Sequence, residues 1–495
     1  MNPNSSSSTA APAPRTGDGA LDKYFSITQR GSTVGTEIRA GVVTFFAMAY
    51  IVILNPLIIG NIADINGNTL GIPTVAAVTA LAAGVMTIGF GLIAKYPFGI
   101  ATGLGINTLV AVTLVSTEGL TWPEAMGLVV IDGIIIVILA ASGFRVAVFN
   151  AIPHDLKTAM GVGIGLFIAL IGLVDAGFVR RIPDSAHTTV PVGLGINGSI
   201  GSWPTFVFCL GLVICGVLVA KNVRGGLFIG IVANTIIAMI VQALTGAGPS
   251  FVDGKPVPTG WSLAVPELPD TIGSLPDLSL VGQVDLIGSF TRIGVLATSL
   301  LVFTLVLANF FDAMGTMTAL GKQGGLVDAD GNLPDMKKAL IVEGVGAVVG
   351  GGASASSNTV YIDSAAGIAD GARTGLANVV TGVLFLLAMF LTPLYEIVPI
   401  EAAAPVLVVV GAMMMAQVKD IDFSEFSTSL PAFLTIVIMP FTYSIANGIG
   451  VGFIAWTLMA AASGKAKSVH WLLWLISALF LVYFAIDPVM GAIAG

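Results

Sequence analysis

The sequence predicts an all-α protein that crosses a membrane many times. Three observations carry that prediction. Of 495 residues, 55% are apolar and only 10% are charged, whereas soluble domains carry about 25% charged residues. Apolar runs of spanning length, roughly 20 residues, recur along the chain. The charges sit in short clusters between those runs.

The elements follow in order. Residues 1–20 are rich in Ser, Ala and Pro, lack the apolar core of a signal peptide, and are expected to form a disordered tail. Candidate spans then cover 38–60, 72–94, 97–117, 122–143, 152–174, 204–220 and 225–246. A stretch rich in Pro, Asp and Gly occupies 247–289. A second set covers 290–321, 337–352, 353–372, 374–396, 398–417, 429–443 and 445–463, with an extra apolar segment at 469–487. Tyr443–Ser444 is expected to be a turn between two short helices.

Lys and Arg accumulate on the cytoplasmic side of membrane proteins. With the N-terminus inside, Arg39, Lys95, Arg145, Lys157, Lys221, Lys322, Arg373 and Lys419 fall inside. Arg180, Arg181, Lys255 and Arg292 fall outside. A turn at Tyr443 also places Lys465 and Lys467 inside.

An internal repeat is visible in the polar residues. Asn55 and Asn107 of spans 1 and 3 map onto Asp312 and Asp363 of spans 8 and 10 at an offset of 256–257 residues. Seven spans per half is odd, so the second half enters from the opposite side. This is the inverted repeat common among transporters.

Spans 3 and 10 are poor membrane helices. Span 3 crowds Pro97, Gly99, Gly103 and Gly105 into its first half, and span 10 begins with small polar residues. Irregular backbone at membrane depth survives only inside protein or around a water-filled cavity. Interrupted segments at corresponding positions of two halves point to a binding site. Ile100-Ala101-Thr102 and Thr359-Val360-Tyr361-Ile362 are expected to be extended. Half-helices should start near Gly105 and at Asp363-Ser364, aiming amides and dipoles at one central point.

Four acids lie within spans: Asp132, Asp312, Glu343 and Asp363. Intramembrane carboxyls are functional candidates, and no Lys, Arg or His is expected at comparable depth. Asp312 lies 20 residues after Arg292 and 10 before Lys322, about 30 Å and 15 Å along a helix. That is near the midplane. Asn309, Asp312 and Thr316 share a helix face by spacing. Asp132 and Glu343 each precede a glycine, and bonding to neighbouring backbone is their first reading.

Other signals are weak. Cys209 and Cys215, six apart in an apolar run, read as packing residues. DADGNLPD (328–335) resembles the start of a calcium loop but lacks the terminal Glu, so a turn is expected. Gly161, Gly163 and Gly165 read as close helix packing. No metal cluster, cofactor motif or nucleophile–base pair is found, so neither a cofactor nor an enzyme is expected. The net charge of −8 comes mostly from loops, and no basic patch suggests nucleic acid.

Several stretches resemble one family. They are GVVTFFAMAYIVILNPLI (41–58), GLGIN (103–107), FFDAMGT (310–316), residues 322–345, TVYIDSAAGIADGARTGL (359–376) and PFTYSIANGIGVGFI (440–454). The chain is similar over 21–463 to the azaguanine-type purine permeases, the adenine/guanine/hypoxanthine branch of the nucleobase–cation symporter-2 superfamily.

The resemblance implies about fourteen segments in two inverted repeats of seven. It implies a core domain from 38–143 and 290–397 and a gate domain from 146–246 and 398–463, joined by an extracytoplasmic loop at 247–289. Substrate would sit between the half-helices of segments 3 and 10, against segment 8. Asp363, Asp312 and Asn107 match the family's site residues. Gly105, Tyr361, Ile362, Ser364, Asn309 and Thr316 complete the expected substrate site, and Asp312 and Asp363 are the expected proton-coupling pair. Two departures stand out: segment 10 carries Asp where the family usually has Glu, and Asn309 stands where a second acid is common. The implied partners are a purine nucleobase, a proton and the bilayer, with a homodimer as a family expectation. The implied location is the cell membrane, with the N-terminus cytoplasmic.

Overall fold

A computed structural model describes residues 19–494, apart from 145–150, 182–191, 197, 253–254, 263, 270 and 329–332. The expected tail therefore lies almost wholly outside the described residues, as does the middle of the calcium-like loop.

After a short helix α1 (Ala20–Phe25), span 1 is built from α2 (Val34–Met48) and α3 (Ile51–Ile59). Thr33 caps α2 by accepting the Thr36 amide. Pro56 sits inside α3 and withholds one backbone donor. Helix α4 (Ile72–Ile93) follows. Segment 3 opens with strand β1 (Ile100–Thr102), turns into α5 (Leu104–Thr108), and continues as a π-helix over Leu109–Thr117. Ser116 and Thr117 hydroxyls donate to carbonyls five residues back, which suits that wider turn. Helix α6 (Trp122–Ala141) starts at a capping box of Thr121 and Glu124 with Pro123 in its first turn.

Helices α7 (His154–Asp175), α8 (Trp203–Ala220) and α9 (Gly226–Thr245) complete the first half. Short strands β2 (Val179–Arg181) and β3 (Val192–Leu194) pair in one loop. Strands β4 (Phe251–Val252) and β5 (Lys255–Pro256) pair in the polar stretch 247–289.

The second half repeats the order. Helix α10 (Gly288–Arg292) leads into α11 (Val295–Gln323), then α12 (Met336–Gly352). Segment 10 opens with strand β6 (Asn358–Val360), passes through a 3-10 turn at Ile362–Ser364, and ends in α13 (Ala365–Ala369). Ile362 therefore belongs to the turn and not to the extended run expected for it. Helices α14 (Gly375–Ala388), α15 (Pro393–Glu396), α16 (Ile400–Met415), α17 (Phe426–Phe441), α18 (Ile445–Ala462) and α19 (Trp471–Ala494) finish the chain.

The expected turn between the two short helices is present: Tyr443 adopts φ 54°, and Ser444 caps α18. Among the described residues, 8 helices are long and apolar enough to cross a membrane, and shorter apolar helices supply further segments. The chain is a multi-pass membrane protein.

The helices pack as two bundles. In one, α12 lies along α6, and α14 lies along α4 and α2. In the other, α16 lies along α7 and α8, and α17 packs on α7 and α18. One charge cluster joins them: Asp370, just past α13, binds both Arg39 and Arg224, the latter from the α8–α9 turn.

β1 and β6 pair antiparallel, with Ile100 opposite Val360 and Thr102 opposite Asn358. The Tyr361 amide donates to Gly99 at 2.9 Å and the Gly103 amide to Ser357 at 2.9 Å, extending the ribbon at both ends. Backbone polar groups at this depth need partners. The Thr87 hydroxyl meets the Ile100 carbonyl and amide at 2.8 and 2.9 Å, and the Asn378 amide donates to the Phe98 carbonyl at 2.6 Å. Asn55 donates to Thr79 and to the Ala355 carbonyl, which fixes the entry to segment 10.

Candidate functional site

Two half-helices leave the ribbon and face a cavity of about 180 Å³. One wall belongs to the bundle that holds the ribbon. It presents Tyr50, Gly103, Leu104, Gly105, Ile106, Ala308, Asp312, Thr316 and the run Thr359–Asp363. The opposite wall comes from α7, α16, α18 and the turn after α16. It presents Lys157, Met160, Gly161, Ile164, Ile168, Val410, Met414, Gln417 and Ile445. One wall is polar, and the other is apolar except at the Lys157–Gln417 end.

Asp363 occupies the 3-10 turn and does not cap it. Its Oδ2 instead accepts a 2.9 Å hydrogen bond from the Tyr50 hydroxyl. Tyr50 lies at the junction of α2 and α3 and is 1% exposed. The Tyr361 hydroxyl donates to the Thr102 carbonyl at 2.5 Å, fastening segment 10 to segment 3. The two tyrosine rings lie 6.3 Å apart between centroids and form one aromatic flank. Asp312 reaches the cavity from α11, together with Ala308 and Thr316. Such a site offers acceptors for N–H groups and apolar faces for a flat ring. Among the described residues, no three His, Cys, Asp or Glu side chains gather to hold a metal.

A profile of the permease family matches residues 35–451. The chain belongs to the permease family. This permease is 35% identical over 471 residues to the guanine/hypoxanthine permease PbuG of Bacillus subtilis, covering 94% of this chain and 99% of that one. It is 33% identical over 463 residues to the adenine permease AdeQ of Escherichia coli, covering 93% and 95%. The expected resemblance to purine permeases is thus borne out. Among solved structures, the transmembrane domain of the cyanobacterial bicarbonate transporter BicA shares the fold. Its TM-score is 0.58 at 16% identity, over 83% of this chain and 96% of that one. The murine anion transporter Slc26a9 in its inward-facing state gives 0.59 at 12%, over 88% and 69%.

The permease gathers Asp312, Asp363, Gly105, Tyr361, Ile362 and Thr316 around its cavity. It holds three expected site residues elsewhere. Asn107 is fully buried behind the wall, with neither carboxamide atom partnered. Asn309 points toward α6, where its Nδ2 donates to Asp132 at 3.1 Å and to Ser357 at 2.9 Å. Ser364 turns to the ribbon and accepts the Gly99 amide at 2.9 Å.

Helical spacing explains two of these placements. The cavity-facing stripe of α11 is Ala308, Asp312 and Thr316, at i, i+4 and i+8, so Asn309 is rotated by one residue to the side. Leu104, Gly105 and Ile106 use up the open arc of the short α5, which leaves Asn107 facing inward. Tyr50, Lys157 and Gln417 were missed by sequence reasoning. The signal for Tyr50 was a lone hydroxyl amid an apolar run. Lys157, in the first turn of α7, lines one end of the cavity and starts the stripe Lys157, Met160, Gly161, Ile164 and Ile168.

Proposed function

We propose that the permease carries purine nucleobases into the cell, across the cell membrane, together with protons. Its N-terminus lies in the cytoplasm in this reading. The observation that carries the proposal is the placing of Asp312 and Asp363 on one wall of a small cavity whose other wall is mostly apolar. A purine presents N–H donors and ring-nitrogen acceptors at its edge and two apolar faces. Asp363, oriented by Tyr50, accepts ring N–H groups. Asp312 binds the far edge or takes the coupling proton. Ile164, Ile168, Val410 and Met414 cover the ring. The names of PbuG and AdeQ support the same class of cargo.

Empty ionised carboxyls at membrane depth are costly. Proton and base binding therefore favour one another, and that linkage is reciprocal. In the proposal, 38–143 and 290–397 form the core, and 146–246 and 398–463 form the gate that rocks against it. The segment 469–487 is accessory, and 247–289 lies outside the cell.

The test is uptake of radiolabelled hypoxanthine and adenine in cells stripped of their own purine carriers. Saturable uptake that a protonophore abolishes is expected. Uptake indifferent to the protonophore overturns proton coupling. A second reading keeps the fold and changes the cargo to uracil, xanthine or a small anion. Lys157 in the wall favours it, and the two carboxyls oppose an anion. Uptake of labelled uracil, xanthine or bicarbonate, with none of hypoxanthine, adenine or guanine, would establish it.

A further inference from the structure

The two bundles meet at a seam, and among the described residues one ion pair crosses it. Asp370 follows α13 directly, seven residues after Asp363, and its side chain is only 1% exposed. It uses its oxygens separately. Oδ2 accepts the Arg39 Nε at 2.6 Å, and the Asp370 carbonyl accepts the Arg39 Nη2 at 3.0 Å. Oδ1 accepts the Arg224 guanidinium. Arg39 stands on α2, in the same bundle as Asp370. Arg224 comes from the α8–α9 turn of the other bundle.

Within its own bundle Asp370 is firmly held. α13 packs on α2, where a Cβ on Gly367 would lie 2.8 Å from the Ala40 carbonyl oxygen. The chain beyond Asp370 is fixed to α2 as well. Glu37, fully buried, accepts the Arg373 amide at 2.9 Å and the Thr374 amide at 3.3 Å. Asp370, Arg39 and the Asp363 turn therefore belong to one body. Across the seam the contacts are looser. Arg224 is 62% exposed, Gly225 lies against Phe46, and the Phe46 and Phe228 ring centroids are 6.0 Å apart. Apolar surfaces of this kind can slide past one another, whereas an ion pair is either made or broken.

Ion pairs to an exposed partner are weak and screened by salt. A buried carboxylate that loses its last cation, by contrast, is strongly penalised. Asp370 avoids that penalty, because it can release Arg224 and remain paired with Arg39. We propose that the Arg224–Asp370 ion pair is a latch: it holds the two bundles in the arrangement seen here and opens in every transport cycle, while Arg39 stays on the carboxylate. The proposal rests on the reading that the two bundles rock against one another. The latch takes no part in cargo recognition and sets how often the seam opens.

The test uses the full chain in proteoliposomes, carrying Cys209→Ala and Cys215→Ala, with nitroxide labels on Gly35→Cys of α2 and Ala220→Cys of α8. Both positions are exposed and lie outside the cavity. Pulsed electron resonance then reads the distance between the bundles without any cargo. At low salt, Arg224→Gln is expected to raise the population of a second distance about threefold or more. High salt should do the same to the protein with Arg224 and add nothing to Arg224→Gln. Arg224→Lys should restore the original distribution. Arg39→Gln should not raise the second population, because opening would then strand the carboxylate. A merely structural role predicts equal shifts for the two arginines, and that result overturns the proposal. If Arg39→Gln fails to reach the membrane, Arg224→Gln and Arg224→Lys carry the test. An unchanged distribution in Arg224→Gln, when hypoxanthine does shift the distances, overturns the latch and leaves the rocking intact. One distance under every condition, while labelled hypoxanthine still exchanges, overturns the rocking and the latch with it. Distances that shift as expected without any hypoxanthine exchange keep the latch and overturn the purine reading.

Discussion

Segment 3 enters the ribbon from Pro97, crosses as Ile100–Thr102 and leaves as a short helix whose fourth residue is Asn107. Segment 10 enters through a run of serines, crosses as Asn358–Val360 and leaves through Asp363. The path is shared, but the equipment differs. Segment 3 gives the cavity glycine and apolar side chains and turns its polar residue inward. Segment 10 gives it a carboxyl, and span 1 adds the hydroxyl that orients it. The repeat supplies geometry twice, while the chemistry is concentrated in segment 10 and its neighbour α11.

That asymmetry can be broken or sharpened by substitution. The largest effect is expected for Asp363→Asn, which converts an anionic acceptor into a neutral amide. Hydrogen bonds to charged groups are worth about 1.5–3 kcal/mol each, so purine affinity should fall roughly a hundredfold in a competition assay. Asp312→Asn should lower driven uptake by a similar factor in transport assays. Tyr50→Phe removes one bond to Asp363, and an affinity loss of about tenfold is expected. Gly105→Ala places a methyl toward Ile164 and Ile445, at 3.3 and 3.5 Å. Side chains can yield there, so a few-fold rise in the half-saturating concentration is expected.

Asn107→Ala should have the smallest effect, under about threefold. Replacing a buried group that has no partner removes no bond and relieves some desolvation. If Asn107→Ala abolished uptake as completely as Asp363→Asn, the two segments would be chemical equals and the asymmetry would be wrong.

Much of this was legible in the sequence, for physical reasons. Glycines in segment 3 and serines in segment 10 are poor helix formers, and they marked the broken spans. Uncompensated acids at membrane depth marked Asp312 and Asp363. The turn at Tyr443 followed from where Lys465 and Lys467 had to lie. Side-chain direction was less legible. The spacing of Asn309, Asp312 and Thr316 permits a common face, but a face about 100° wide holds several candidate triplets. Packing against α6 chose Ala308, Asp312 and Thr316. In α5 there are too few residues for any periodicity to be read. Tyr50 and Lys157 come from apolar spans whose pattern reports burial and says nothing of which neighbour a single hydroxyl or ammonium group meets. Gln417 follows the last turn of α16, where spacing carries no direction at all.

The ribbon also has a thermodynamic consequence. Its ladder bonds, and the clamps from Thr87 and Asn378, are shut away from water, where a broken backbone bond finds no replacement. The spacing of the two half-helices is therefore fixed whichever face of the bilayer the cavity meets. The ribbon side of the pocket is then a fixed template, and only the wall from α7, α16 and α18 differs between the two sides. Such a carrier is intrinsically reversible, and the gradients imposed on it set the sign of the flux.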